Sequence, residues 1–345
     1  MINMQNVNTG FKEIRITYDE MKSEFIRILI KHNFKKEKAE TLAEIFSRNS
    51  LDGIYSHGVN RFARFIQYVI DKNINIEAEP ELKSSNGSIE QWDGHSGPGP
   101  LNALLCTQRS MEIAHKNGIG CVALSNTTHW MRPGYYGWNA AKKGFCFVAW
   151  TNTIPLMPPW GSSQKKLGNN PVVFAVPYNS GAIVLDMAMS QFSFGTMENY
   201  ISRNELLPFE GGFDKNGNLT KNPKEIVESM RPLPIGYWKG AGMALLLDIL
   251  AAILSGGLST HEIAKRGVET GISQVYISFN ISKLDNFPSI STTIDNIIND
   301  YLSSEPENDK TQILYPGQRV LETRSGNLAA GIPVNKILWD EILSL

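Results

Sequence analysis

Apolar residues recur at helical spacing in three stretches near the start of the chain. Met21, Phe25, Ile28 and Leu29 follow Thr17-Tyr18-Asp19-Glu20, which has capping-box spacing, and predict a first helix. Ala39, Leu42, Ala43 and Phe46 mark a second, over about residues 36–47. A third begins after Ser56-His57-Gly58, with Val59, Phe62, Ile66, Val69 and Ile70 inward. Beyond Pro80 the pattern changes to β-branched and aromatic runs broken by glycine and proline. Strands are predicted at about 120–125, 145–151, 172–177, 183–187 and 274–281, with helices at about 101–117, 135–143, 193–204 and 242–255. Tyr178-Asn179-Ser180-Gly181 is too short for a crossover helix, so the strands it joins are expected to be antiparallel. From about Thr292 the chain reads as helical again. The resulting division is a helical lobe (1–80), a mixed-sheet domain (81–290) and a helical closing segment (291–345) that returns to the first lobe. The fold class is mixed α/β, of the α+β kind.

Length supports this division, since 345 residues exceed the size at which single cores stop growing, roughly 250–300. Residues are 42% hydrophobic and 19% charged, with a formal net charge of −1. That balance attracts neither nucleic acid nor an anionic membrane, and a small-molecule partner is expected. Cys106, Cys121 and Cys146 have no CxxC spacing and read as reduced core residues of a cytoplasmic protein. No signal peptide is expected, and the apolar run Ala241–Leu254 is interrupted by Asp248 and too short to cross a bilayer. There is no G-x-G-x-x-G between strand and helix, no P-loop, no H-E-x-x-H and no EF-hand loop. A Rossmann fold and a metal site are therefore not expected.

Four segments carry candidate chemistry. In Tyr55-Ser56-His57-Gly58-Val59-Asn60-Arg61, Ser56 is a candidate N-cap, which puts His57 in the first turn and Arg61 on the same face. Imidazole, guanidinium and helix-end donors would then face one oxyanion; the plainer reading is a solvated histidine at a helix start. A helix N-terminus and a nearby Arg both favour neutral imidazole, whereas a bound carboxylate or a neighbouring acid favours the charged form. Asp186, inside an apolar strand, is the candidate acid, unless it only pairs with a surface lysine. Next, Thr128-His129-Trp130-Met131-Arg132 leads into Tyr135, Tyr136 and Trp138, a lining suited to a sugar acid, although core packing explains some of the rings. His129, Trp130 and Arg132 are the candidates there, with Ser56 beside them. Third, the loop from Trp150 to Pro171, with Lys165-Lys166 and Asn170, could cradle phosphates. Last, Lys239 follows Trp238 at the start of an apolar helix, where the dipole disfavours a cation and an anionic neighbour is implied.

In this order, YSHGVNRF, HWMRPGYYGW, WTNTIPLMPPWG, LGNNP, LDMAMS, GGFDKNGNLTKNP and YWKGAGM resemble the type 2 malate/L-lactate dehydrogenase family, from about Ile16 to the C-terminus. Trp238-Lys239-Gly240, where the broad family has HKG, likens the chain to the branch that reduces 2,3-diketo-L-gulonate. The resemblance implies a non-Rossmann, sulfolactate-dehydrogenase-like fold, with a largely antiparallel mixed sheet flanked by helices, and a homodimer. It implies NADH as cofactor, with NADPH the alternative, and a small 2-keto sugar acid as substrate. His57 would be the proton donor, with Arg61 at the substrate. The cofactor segments would be Ala182, Ile183, Val184, Leu185, Asp186, Met187 and Ala188, then Trp238 and Lys239, then Gly317, Gln318 and Arg319. Arg61 and Arg132 are expected to bind the substrate carboxylate and carbonyl, and Asp186 to orient the imidazole. The expected reaction is reduction of the 2-keto group to give 3-dehydro-L-gulonate. Alternatives are another 2-keto or 2-hydroxy acid of the malate, lactate, ureidoglycolate or imino-acid type, and, from another class, a sugar-acid lyase or isomerase.

Overall fold

The computed structural model describes residues 12–179, 181–308 and 311–345. The chain opens with β1 (Glu13–Ile16), α1 (Tyr18–Lys31), α2 (Lys36–Leu51) and α3 (Val59–Ile70). There follow β2 (Glu81–Asn86), β3 (Ile89–Asp93), α4 (Gly99–Asn117), β4 (Ile119–Thr128), α5 (Gly134–Lys142) and β5 (Phe145–Thr151). Next come β6 (Val172–Tyr178), β7 (Gly181–Met187), α6 (Phe194–Ser202), β8 (Gly212–Phe213), β9 (Leu219–Thr220) and α7 (Pro223–Ser229). The last part holds α8 (Trp238–Ser255), α9 (Thr260–Ala264), β10 (Thr270–Asn280), α10 (Phe287–Leu302), α11 (Gln318–Ala330), β11 (Ile332–Asn335) and α12 (Lys336–Ser344).

Thr17 caps α1 by accepting from the Glu20 N–H at 3.2 Å, and Met21, Phe25, Ile28 and Leu29 are buried along one face. Their core includes Phe46, Phe62 and Ile66 from α2 and α3. Ile332 and Val334 of β11 and Trp339 and Ile342 of α12 complete it, and β11 pairs antiparallel with β1. The end of the chain thus packs on its beginning, through a strand as well as a helix.

Seven strands form the main sheet in the order β2-β3-β4-β10-β5-β6-β7. Every pairing is antiparallel except β3 with β4. The β6–β7 pair is the short-connection hairpin; Ser180 in its turn lies outside the described residues. On one face Cys106 of α4 and Tyr136, Ala140 and Ala141 of α5 pack on Val122, Phe147, Val173 and Tyr276. On the other, Ala241, Ala244, Leu247 and Ala251 of α8 pack on Ala123, Trp150 and Val275. Asp248, the acid inside the apolar α8, is held in the protein by Asn152 Nδ2 at 2.9 Å and the Thr260 N–H at 2.8 Å.

Candidate active site

The opening motif folds differently from its helical expectation. Tyr55–His57 make one turn of 3-10 helix, and α3 starts only at Val59 with Gly58 as its cap residue. Ser56 is therefore not the N-cap. Side chains of α2 do that work: Ser50 Oγ accepts from the Val59 N–H at 2.8 Å, and Asn49 Nδ2 donates to the His57 carbonyl at 3.0 Å. Ser56 is left to place its hydroxyl 3.1 Å from His57 Nδ1. Gly195, at the start of α6, lies over this turn so closely that a Cβ there would sit 3.1 Å from Ser56 Cβ.

His57 is half-buried and its ring lies 5.6 Å, centroid to centroid, from that of His129, with planes inclined by 25°. His129 Nδ1 accepts from the Met131 N–H at 2.9 Å, so the neutral ring carries its proton on Nε2. A small pocket beside this pair is lined by Arg61, Arg64, Tyr68, His129 and Met131. Burial pushes the His57 pKa down, and the charges of Arg61 and Arg132 push it further, to about 4. Burial and the charge of Arg61 likewise hold His129 well below its ordinary value.

The two arginines differ in what already occupies them. Arg61 has Glu269 as its nearest carboxylate, at 3.9 Å, which is too long for a hydrogen bond. Burial raises Glu269 and Glu198, while the Arg61 charge draws both back down. Arg132, by contrast, is 3% exposed and bonded to Asp52 through Nη1 at 2.5 Å. Arg324 binds the same carboxylate with two bonds, of 2.6 and 2.9 Å. Arg132 is thus held inside the protein by a carboxylate it shares with Arg324, and its buried Nε is left without a hydrogen-bond partner. Asp186 accepts from the Gly134 N–H at 2.8 Å and stands 3.9 Å from Arg132 Nε. Burial raises its pKa, and Arg132 and the Gly134 bond lower it. Among the described residues no bond joins Asp186 to His57, so Ser56 and His129, not Asp186, contact the imidazole. Trp130 is corrected too: at 1% exposure it packs in the core against Tyr136 and Tyr276.

Three separated cofactor candidates converge on β7. The Val184 N–H donates to Pro316 O at 3.0 Å, which sets Gly317 against the strand that holds Ala182–Ala188, with Gln318 and Arg319 opening α11 beside it. Gly317 has φ +93°, and a Cβ there would stand 3.2 Å from Val184 N, so both backbone shape and space call for glycine. The Ile235 N–H donates to Met189 O at 2.8 Å, and Ser190 bridges Pro234, bringing the start of α8 to the end of β7. No side chain caps that helix start, where Trp238 is 66% exposed and Lys239 also faces outward. Open backbone donors, a cation and an exposed indole on one strand end fit a dinucleotide with its pyrophosphate at the helix terminus. Asn170 lies apart from this surface: its Oδ1 accepts from the Thr153 N–H at 3.0 Å and its Nδ2 donates to Ala244 O at 2.7 Å, with the residue fully buried.

Sequence reasoning missed Asp52, Arg324, Glu198 and Glu269. An acid directly before Gly53, at the end of a helical pattern, was the one available signal; Arg324 is 272 residues away from Asp52.

Residues 16–343 match the malate/L-lactate dehydrogenase family. A 2,3-diketo-L-gulonate reductase of Escherichia coli strain 536 is 42% identical over 96% of this chain and 100% of its own length. Malate dehydrogenase of Pyrococcus horikoshii superposes with TM-score 0.87 at 26% identity, covering 97% of this chain and 95% of that one. Sulfolactate dehydrogenase of Methanocaldococcus jannaschii gives 0.86 at 26% identity, covering 96% and 98%. Near-complete coverage in sequence and in fold, together with the site built on the 3-10 turn and β7, makes this chain a member of the malate/L-lactate dehydrogenase family of oxidoreductases.

Proposed function

We propose that the protein reduces the 2-keto group of 2,3-diketo-L-gulonate with NADH, giving 3-dehydro-L-gulonate. One observation carries the reading: a half-buried imidazole stands beside a guanidinium with no tightly bonded carboxylate. Arg61 receives the substrate carboxylate, for which its planar donor fork is suited. That anion cancels part of the positive field holding His57 at about 4, and the proton affinity of the imidazole rises. Ser56 engages Nδ1, leaving Nε2 to hand its proton to the substrate oxygen. A nicotinamide cofactor, held along β7 and at the start of α8, would supply the hydride for the substrate carbon. His129 and Tyr68 line the neighbouring pocket and receive the remaining substrate hydroxyls. The relatives named 2,3-diketo-L-gulonate reductase support this substrate over a smaller one, and dehydrogenase kinship leaves the lyase and isomerase readings without support.

The working unit is a homodimer. Met243, Leu246 and Ile253 of α8 are 51, 56 and 64% exposed while the opposite face of the helix is packed on the sheet. A helix apolar all round is normally covered on both sides, and a second copy of the chain covers this one. A panel of 2-keto acids offered with NADH and with NADPH tests the proposal. Highest kcat/KM for the diketo sugar acid with NADH is expected; preference for pyruvate, oxaloacetate or a cyclic imino acid would move the chain to a sibling activity.

A further inference from the structure

Beside Trp138 lies a cavity of about 80 Å3 between α2, α5 and α11. Arg48, Lys142 and Arg324 enter it from these three helices, and Glu44 and Asp52 supply its carboxylates. Both carboxylates are already matched. Glu44 Oε2 takes Lys22 Nζ at 2.7 Å and the Tyr18 hydroxyl at 2.5 Å, and Asp52 takes Arg132 and Arg324. Among the described residues neither Arg48 nor Lys142 makes an ion pair. Arg324 and Lys142 instead share the indole of Trp138, at 5.3 and 6.0 Å from ring centroids, and the buried Trp138 Nε1 has no hydrogen-bond partner. Burial, then the charges of Arg324 and Arg48, pull the Lys142 pKa down, and the charge of Asp52 offsets only part of this.

We propose that this cavity is a binding site for a phosphate-class oxyanion, held by Arg48, Lys142 and Arg324. The cations Arg48, Lys142 and Arg324 outnumber the lining carboxylates Glu44 and Asp52, which leaves net positive charge for an anion, and donors arriving from three helices match a tetrahedral acceptor. The cavity volume suits one phosphoryl group rather than a nucleotide. The keto-acid pocket beside His129 shares none of these residues, and Trp138 is the wall that this cavity shares with Gly317, where a Cβ would lie 3.3 Å from the indole.

The test titrates the intact protein with inorganic phosphate by calorimetry and by thermal shift, against chloride at equal ionic strength. Native protein and Arg61→Gln should bind phosphate alike, because the control removes only the keto-acid anchor. Lys142→Gln and Arg48→Gln should each weaken binding by about tenfold or more, the loss of one charge-assisted contact. The two changes lie on different helices, so a folding failure of either leaves the other to be read. Glycerol 3-phosphate run in parallel separates the sources: equal affinity points to a phosphate ester, and exclusion of the ester to the free ion. No saturable effect beyond that of chloride, or binding lost in Arg61→Gln and intact in Lys142→Gln, overturns the proposal.

Discussion

Arg132 and Asp52 form an ion pair with a 2.5 Å Nη1–Oδ2 separation, and both side chains are almost wholly buried. Arg324 closes on the other side of the same carboxylate, so one acid compensates two guanidinium groups. Removing that acid strands two charges. Asp52→Asn is expected to cost about 3–5 kcal/mol of stability, the range for breaking a buried pair from one side. Chemical denaturation of the two proteins checks it. The sign with pH follows from the ion pairs: burial raises the Asp52 pKa, but the bonds and charges of Arg324 and Arg132 outweigh it and hold the folded value below 3.8. The contribution is complete above that unfolded value and is lost as pH falls through the lower, folded one, so the two stability curves converge only in strong acid.

Arg61 has the opposite character, a guanidinium kept short of a full partner. Arg61→Gln should lower kcat/KM for the keto acid by roughly 10–150-fold, the worth of a hydrogen-bonded charge, while leaving NADH affinity unchanged. Steady-state kinetics with a fluorescence titration of NADH separates the two. Equal losses in both would make Arg61 a structural residue.

The pH profiles of kcat/KM and kcat should part company. In the free enzyme the His57 pKa lies at about 4, below the ordinary 6.5, so the ring is neutral near pH 7. Reduction needs its protonated form, and kcat/KM should fall tenfold per pH unit above about 4. Once the substrate carboxylate sits beside Arg61 the pKa rises, and kcat should stay level to a higher pH before it falls. A single break near 6.5 in both profiles would mean that burial and the arginines do not control the ring. For stability the direction with pH is the same as for Asp52, in a higher window: the depressed imidazole costs nothing above 6.5 and progressively destabilises the fold as pH drops from 6.5 towards 4.

What the sequence revealed and hid has physical causes. The helices α1 and α3 and the strands β5 and β10 were readable because one face, or both, is apolar at the right period. β2 was not, since Glu81–Asn86 is an edge strand exposed at all six positions and carries no alternation. Segments at His57, His129, Asp186 and Lys239 could be singled out one by one from the residues themselves, whereas Gly317 came only with the family resemblance. Which arginine is spent and which is available could not, because the answer rests on Asp52 meeting Arg324, 272 positions further along. The same distance hid the cap of α3: Ser50, nine residues before Val59, does what Ser56 was expected to do.

If a second copy covers α8 as proposed, Ile253→Asp on its outer face should leave a monomer, read by sedimentation or by gel filtration with light scattering. An exposed side chain on a monomer tolerates this change within about 0.5 kcal/mol, whereas a charge at the centre of an apolar interface does not. A native protein that already sediments as a monomer would remove the second copy from the account.

The most direct measurement is turnover of 2,3-diketo-L-gulonate by His57→Ala, followed through NADH absorbance, with NADH binding measured on the same sample. The account predicts a loss of about 10²–10⁴ in kcat with cofactor binding retained, the share that a positioned general acid supplies. Near-native turnover in that variant would contradict it.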